Sequence, residues 1–121
     1  MSKTVLTVDD SRTMRDMLLL ALQDAGYTVI QAVDGVDGLE TLAAKGADVV
    51  ITDINMPRMD GFGFIEGMRA DPAFSAVPVL VLTTESDAAK KQRAREAGAT
   101  GWIVKPFDPV RLVDAVRRVA A

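Results

Sequence analysis

Val49-Val50-Ile51-Thr52-Asp53 is the stretch whose reading decides the fold. Three aliphatic residues and a β-branched Thr make a short run that is apolar on both sides, as in a parallel strand covered by helices on each face. The run stops at a carboxylate. Working outward, the construction recurs: Val5-Leu6-Thr7-Val8 stops at Asp9-Asp10, Val79–Leu82 at Thr83, and Trp102-Ile103-Val104 at Lys105. A fifth run, Tyr27–Ala32, mixes in Thr28 and Gln31 and is expected at a sheet edge.

Helical periodicity fills the intervals. Met14, Met17, Leu18, Ala21, Leu22 and Ala25 recur at i, i+3 and i+4. Val36, Leu39, Leu42 and Ala43 mark a second helix. Phe62, Ile65 and Met68 mark a third, weakened by Gly63 and Gly67. Ser86–Ala97 is Ala-rich and charged, with a thin apolar stripe, and reads as a lightly anchored fourth. Val110, Val113, Val116 and Ala120 mark the last, with Asp108 as N-cap and Pro109 at the first helical position. Gly26, Gly46 and Gly98 fall at helix ends, where a left-handed residue is needed. The alternation is (βα)₅. It implies one doubly wound α/β domain over residues 1–121, with a parallel sheet, right-handed crossovers and helices on both faces. In such sheets ligands sit beyond the carboxyl ends of the strands. Asp9, Asp10, Asp53, Thr83 and Lys105 are all placed there.

Composition narrows the chemistry. The 121 residues contain no Cys and no His, which excludes disulfides, thiolate or His-ligated metals and a His phosphocarrier within the chain. A net charge of -3 gives no reason to expect nucleic acid or an anionic membrane as a partner. No apolar run approaches the ~20 residues of a membrane span, and the N-terminus lacks a signal-peptide profile. A cytoplasmic, monomeric protein is expected.

Carboxylates without His or Cys form a hard, all-oxygen site that suits Mg²⁺ or Mn²⁺. Lys105 can place a point charge on a phosphate oxygen, and the Thr83 hydroxyl can donate to another. A carboxylate can attack phosphorus to give an aspartyl-phosphate, and phosphoryl transfer otherwise needs positioning and charge neutralisation. Asp53, alone at the end of the strongest strand, is the nucleophile candidate; the acid pair suits the metal. Each residue also has an ordinary structural reading. Asp9-Asp10-Ser11 can cap the first helix, Asp53 can be a turn residue, and Lys105-Pro106 a solvated turn. Only their joint placement favours a site.

The motifs Val8-Asp9-Asp10-Ser11, Thr52-Asp53-Ile54-Asn55-Met56-Pro57-Arg58-Met59-Asp60-Gly61, Leu82-Thr83-Thr84-Glu85 and Val104-Lys105-Pro106-Phe107, in this order and spacing, resemble the receiver domains of two-component response regulators, of the stand-alone CheY-like kind. The resemblance implies the flavodoxin-like strand order 2-1-3-4-5, an order the CheY fold itself exemplifies. It also implies Asp53 as phosphoacceptor, with Mg²⁺ held by Asp10, Asp53 and the backbone carbonyl of Asn55, and by Asp9 through water. Thr83 would bond the phosphoryl group, Lys105 would pair with it, and the Lys105-Pro106 bond would be cis. Asn55 and Glu85 would tune the phosphate's lifetime, and Trp102, with Thr83, would form the switch that alters the output surface.

The resemblance further implies a CheA-like histidine kinase as donor. With no output domain in the chain, signalling would pass through protein contact, for example with the flagellar motor switch in chemotaxis. A phosphate sink or relay intermediate is the alternative. A small phosphatase of the haloacid-dehalogenase type would need a second Asp where Asn55 stands, and an FMN binder would need a phosphate cradle where the acid pair stands. The chain is expected to be a signalling phosphoacceptor rather than an enzyme.

Overall fold

The computed structural model describes residues 3–84 and 86–120. Five strands alternate with five helices: β1 (Thr4–Val8), α1 (Arg12–Asp24), β2 (Thr28–Ala32), α2 (Gly35–Lys45), β3 (Val49–Thr52), α3 (Gly61–Ala70), β4 (Val79–Thr83), α4 (Ala88–Ala97), β5 (Gly101–Val104) and α5 (Pro109–Ala120). All strand pairs are parallel, in the order β2-β1-β3-β4-β5. The expected topology holds, and the polar run β2 is at an edge.

Side chains alternate across the sheet, as the period of two requires. Val5, Val49, Ile51, Leu80 and Leu82 point to one face, where Leu18 and Leu22 of α1 and Leu112 and Val116 of α5 cover them. Leu6, Val8, Val50, Val79 and Val81 point to the other, against Leu42 of α2, Phe64, Ile65 and Met68 of α3, and Ala94 of α4. The central strands are therefore buried on both faces, which is why their sequences are nearly continuous in apolar residues.

Several details differ from the sequence reading. Tyr27 precedes β2, its N–H donating to Leu22 O at the end of α1. Helix α4 begins at Ala88 rather than Ser86, because the Asp87 carboxylate accepts from Ala89 N and Lys90 N and so ends the extended backbone there. Met17 is exposed: it stands one position, about 100°, round the helix from Leu18, which takes the core place. Val110 is 70% exposed, and Leu112 replaces it in the core. A series spaced by three drifts about 60° per step, so the 110-113-116 stripe ends on the solvent side, whereas Leu112, Val113 and Val116 share one face. Ala94 is the one buried residue of α4, as its thin stripe implied.

Gly26, Gly46 and Gly98 all have positive φ, at 91°, 70° and 116°, as expected for helix ends. Gly67, a weak point for α3 by propensity, serves packing: a Cβ there would lie 2.9 Å from Leu39 Cδ1 of α2. Arg69 ties α3 to its surroundings, donating to the carbonyls of Phe74, Ser75, Val77 and Gly98. Within the described residues no helix is long and apolar enough to cross a membrane.

Candidate functional site

Parallel register assembles the site. Val8 pairs with Thr52, so the next residues, Asp9 and Asp53, emerge side by side; Asp53 N donates to Val8 O at 2.9 Å and Asp9 N to Ala32 O at 3.1 Å. Thr83 is the last residue of β4, one place earlier than a residue just beyond the strand, and pairs with Val104. Lys105 follows, its N–H donating to Thr83 O at 2.8 Å. The Lys105-Pro106 bond is cis.

Asp9, Asp10 and Asp53 each offer a carboxylate oxygen, all within 4.8 Å of one another. Lys105 Nζ donates to Asp9 Oδ2 and to Asp53 Oδ2, at 3.0 Å each. The Lys105, Asp9 and Asp53 side chains are 11%, 3% and 12% exposed, so these charges interact with little screening by water. Asp10 is exposed. Backbone donors fix the remaining oxygens: Ile54 N donates to Asp53 Oδ1 at 2.7 Å and Ser11 N to Asp9 Oδ1 at 2.9 Å.

Burial pushes the Asp9 carboxyl above its usual value, against the opposing pull of the Ser11 N–H and the Lys105 amine. Burial also works against the charged form of Lys105, but its hydrogen bonds to Asp53 and Asp9 outweigh it and hold the amine above its ordinary value. The amine is protonated at neutral pH and shared between two acids.

The capping alternative for the acid pair is resolved. Ser11 caps α1, its Oγ accepting from Met14 N at 3.2 Å. Asp10 and Asp9 are thereby left to the site. Asn55 is exposed on the loop between β3 and α3. Thr83 is fully buried at the end of β4. Trp102 is half-buried on β5, and its Nε1 has no hydrogen-bond partner among the described residues. It borders a cavity of about 50 Å³ that Lys91, Ala94 and Arg95 of α4 also line. Glu85 lies outside the described residues.

Two contacts were not foreseen. The Arg15 guanidinium donates to Asp9 O at 2.7 Å. Arg58, in the loop after Asp53, forms a two-pronged pair with Asp34, Nε to Oδ2 at 2.7 Å and Nη2 to Oδ1 at 3.1 Å. Asp34 is legible as a helix cap from its place before Gly35-Val36, but nothing local points to Arg58, 24 residues away.

Residues 5–117 match the response regulator receiver domain. The chain belongs to that family. This receiver domain is 42% identical over 107 residues to the chemotaxis protein CheY1 of Helicobacter pylori strain J99, covering 87% of this chain and 86% of that one. It is 40% identical over 115 residues to the probable transcriptional regulator ycf27 of Guillardia theta, where it covers 95% of this chain but spans only 44% of the relative. Among solved structures it resembles Vibrio cholerae chemotaxis protein CheY4, with TM-score 0.94 and 44% identity over 98% of this chain and 99% of that one. Fold and family thus agree with the strand-end motifs, and the receiver is of the CheY type, a component of two-component signalling.

The acidic cluster fits the Mg²⁺ that receiver domains bind. Its donors are all oxygen, and three carboxylates against one amine leave two negative charges, which a divalent cation balances.

Proposed function

We propose that this receiver domain is a phosphorylation-activated response regulator of the cytoplasm, with Asp53 as phosphoacceptor and a histidine kinase as donor. The observation that carries the reading is the three-carboxylate cluster with Lys105 Nζ at 3.0 Å from both Asp9 and Asp53. Asp10, Asp53 and the Asn55 carbonyl would hold Mg²⁺, with Asp9 acting through water. When bound, the cation neutralises charge on the phosphoryl oxygens.

The step is an in-line displacement. An Asp53 carboxylate oxygen bonds to phosphorus as the donor's P–N bond, or the P–O bond of a small donor such as acetyl phosphate, breaks. The leaving imidazole or acetate takes the electron pair. The Ile54 N–H holds the orientation of the Asp53 carboxylate. Lys105 then trades a carboxylate partner for a phosphoryl oxygen, and the Thr83 hydroxyl donates to another. The site consumes one phosphoryl group and stores it, so the chain is a signalling phosphoacceptor. Asn55 and Glu85 would set how quickly water removes the group. Thr83 and Trp102 would carry the change to the α4–β5 surface, and that surface to a protein target.

The relatives named for chemotaxis favour a chemotaxis role, with a CheA-like kinase upstream and a motor-type target downstream. Incubation with acetyl phosphate and Mg²⁺ should add one phosphoryl mass to the wild type and none to Asp53→Asn. Equal labelling of both would overturn the assignment.

A further inference from the structure

The loop of residues 54–60, which carries Asn55, is held at both ends and again at its tip. At the base, Ile54 N donates to Asp53 Oδ1 and Gly61 N to Ile54 O. At the tip, Met59 N donates to Pro57 O, Gly35 N donates to Met59 O at 3.1 Å, and Arg58 grips Asp34 through two hydrogen bonds. Arg58 has φ 65°, a left-handed conformation that an L-residue keeps only where its surroundings over-determine it. Asp34 restrains it there, together with the Gly35 N–H on Met59 O. The Asp34 carboxylate is buried, caps α2 by accepting from Asp37 N at 2.9 Å, and meets the guanidinium as a planar fork. One acid therefore fixes the start of α2 and the tip of the loop together.

We propose that the Arg58–Asp34 pair is a positioning device for the phosphoacceptor site, holding the 54–60 loop so that the Asn55 carbonyl is presented to the cation. Neither residue is assigned contact with cation or phosphoryl group; they act through the loop. This rests on the cation-site reading given above. Long side chains in surface ion pairs ordinarily contribute little; here the Arg58 side chain is 57% exposed, but the acid is only 5% exposed and the contact is two-pronged, so both prongs constrain the backbone that carries them.

The test is a Mg²⁺ titration by calorimetry, beside amide hydrogen exchange of residues 54–60, on the full chain. The variants are Asp34→Asn, Arg58→Asn, their double and Arg58→Lys. Asn caps helices well and tolerates the left-handed region, so each variant keeps its fold. Each Asn single should weaken Mg²⁺ roughly tenfold, the low end for partners that orient metal ligands, and speed exchange in the loop. The double should be no weaker than either single, because the two residues act as one unit. Arg58→Lys should fall between wild type and Arg58→Asn, since it keeps the charge and loses the fork.

A pure field effect makes a different forecast. Removing a positive charge at Arg58 would tighten Mg²⁺, and removing a negative one at Asp34 would weaken it. Opposite signs for the two singles, or unchanged affinity in both, overturns the proposal even if exchange changes. A wild type that binds Mg²⁺ but takes no phosphoryl group from acetyl phosphate would sink the phosphoacceptor reading, while same-sign weakening in the singles would still uphold the clasp.

Discussion

The Lys105 amine lies 3.0 Å from the Asp53 carboxylate across 52 residues of chain, and the same amine lies 3.0 Å from Asp9. On the proposed mechanism it stands where a cation's field is also wanted, so it would help phosphoryl transfer and oppose cation binding at once. Lys105→Met separates the two effects. Mg²⁺ affinity should rise about fivefold or more, since a removed like charge about 4 Å away is worth on the order of 1 kcal/mol even at the dielectric of bulk water, and more at a protein surface. Phosphorylation by acetyl phosphate should slow by on the order of 10²-fold, the cost of losing a charge-stabilising donor. Calorimetry and a rate measurement at saturating Mg²⁺ check the pair. Weaker Mg²⁺ binding in the variant would contradict this account.

Asp34 gives a pH dependence. Its hydrogen bonds from the Arg58 guanidinium and then the Asp37 N–H hold its carboxyl below the ordinary value of 3.8. A depressed folded-state pKa contributes stability that is full above the unfolded value and lost as pH falls through the folded one. The stability gap between wild type and Asp34→Asn should therefore be constant from about pH 6 to 8 and close progressively below about pH 4. Urea unfolding at several pH values measures it; a gap that widens on acidification would be the wrong sign.

Gly61 tests how closely the loop base fits. A Cβ there would lie 2.2 Å from Asp53 O and 2.9 Å from Ile54 Cα, both backbone atoms of the site. Gly61→Ala should cost roughly 1–3 kcal/mol, as overpacking does, and reduce phosphorylation sharply by displacing Asp53. Gly26 is the control. A Cβ there meets nothing within 4 Å, so Gly26→Ala should cost about 1 kcal/mol of left-handed strain and leave the phosphorylation rate unchanged. Thermal unfolding and the acetyl phosphate reaction on both variants decide it.

Trp102 is the one tryptophan of the chain, and Thr83 sits on the neighbouring strand β4. Beryllofluoride with Mg²⁺, a mimic of the phosphoryl group, should change Trp102 emission in the wild type. Thr83→Val keeps the shape and removes the hydroxyl, and should abolish the change while leaving Mg²⁺ binding intact. An equal emission change in both chains would detach Trp102 from Thr83.

Much of this was legible in the sequence because its signals are local or periodic. Val49-Val50-Ile51-Thr52-Asp53 carries its strand, its two-faced burial and its terminal acid within five letters, and parallel register then brings Asp9 beside Asp53 without further information. The Asp108-Pro109 start of α5 and the glycines with positive φ were readable for the same reason. Val110 and Met17 are exposed although both lie on an apolar stripe, because an i+3 stripe does not say which side of it meets the sheet; only tertiary contact does. Propensity alone extends α4 back to Ser86, since it does not locate the Asp87 cap. The Arg58–Asp34 pair left no local trace, since an Arg in a polar loop looks solvated until the fold brings α2 to it.

The most direct test is whether Asp53 itself takes the phosphoryl group. After acetyl phosphate and Mg²⁺, borohydride reduction converts an aspartyl-phosphate to homoserine, and peptide fragmentation locates it. Homoserine is expected at position 53, and is lost when Mg²⁺ is chelated before the reaction. Homoserine at position 9 or 10, or modification that persists in Asp53→Asn, would contradict it.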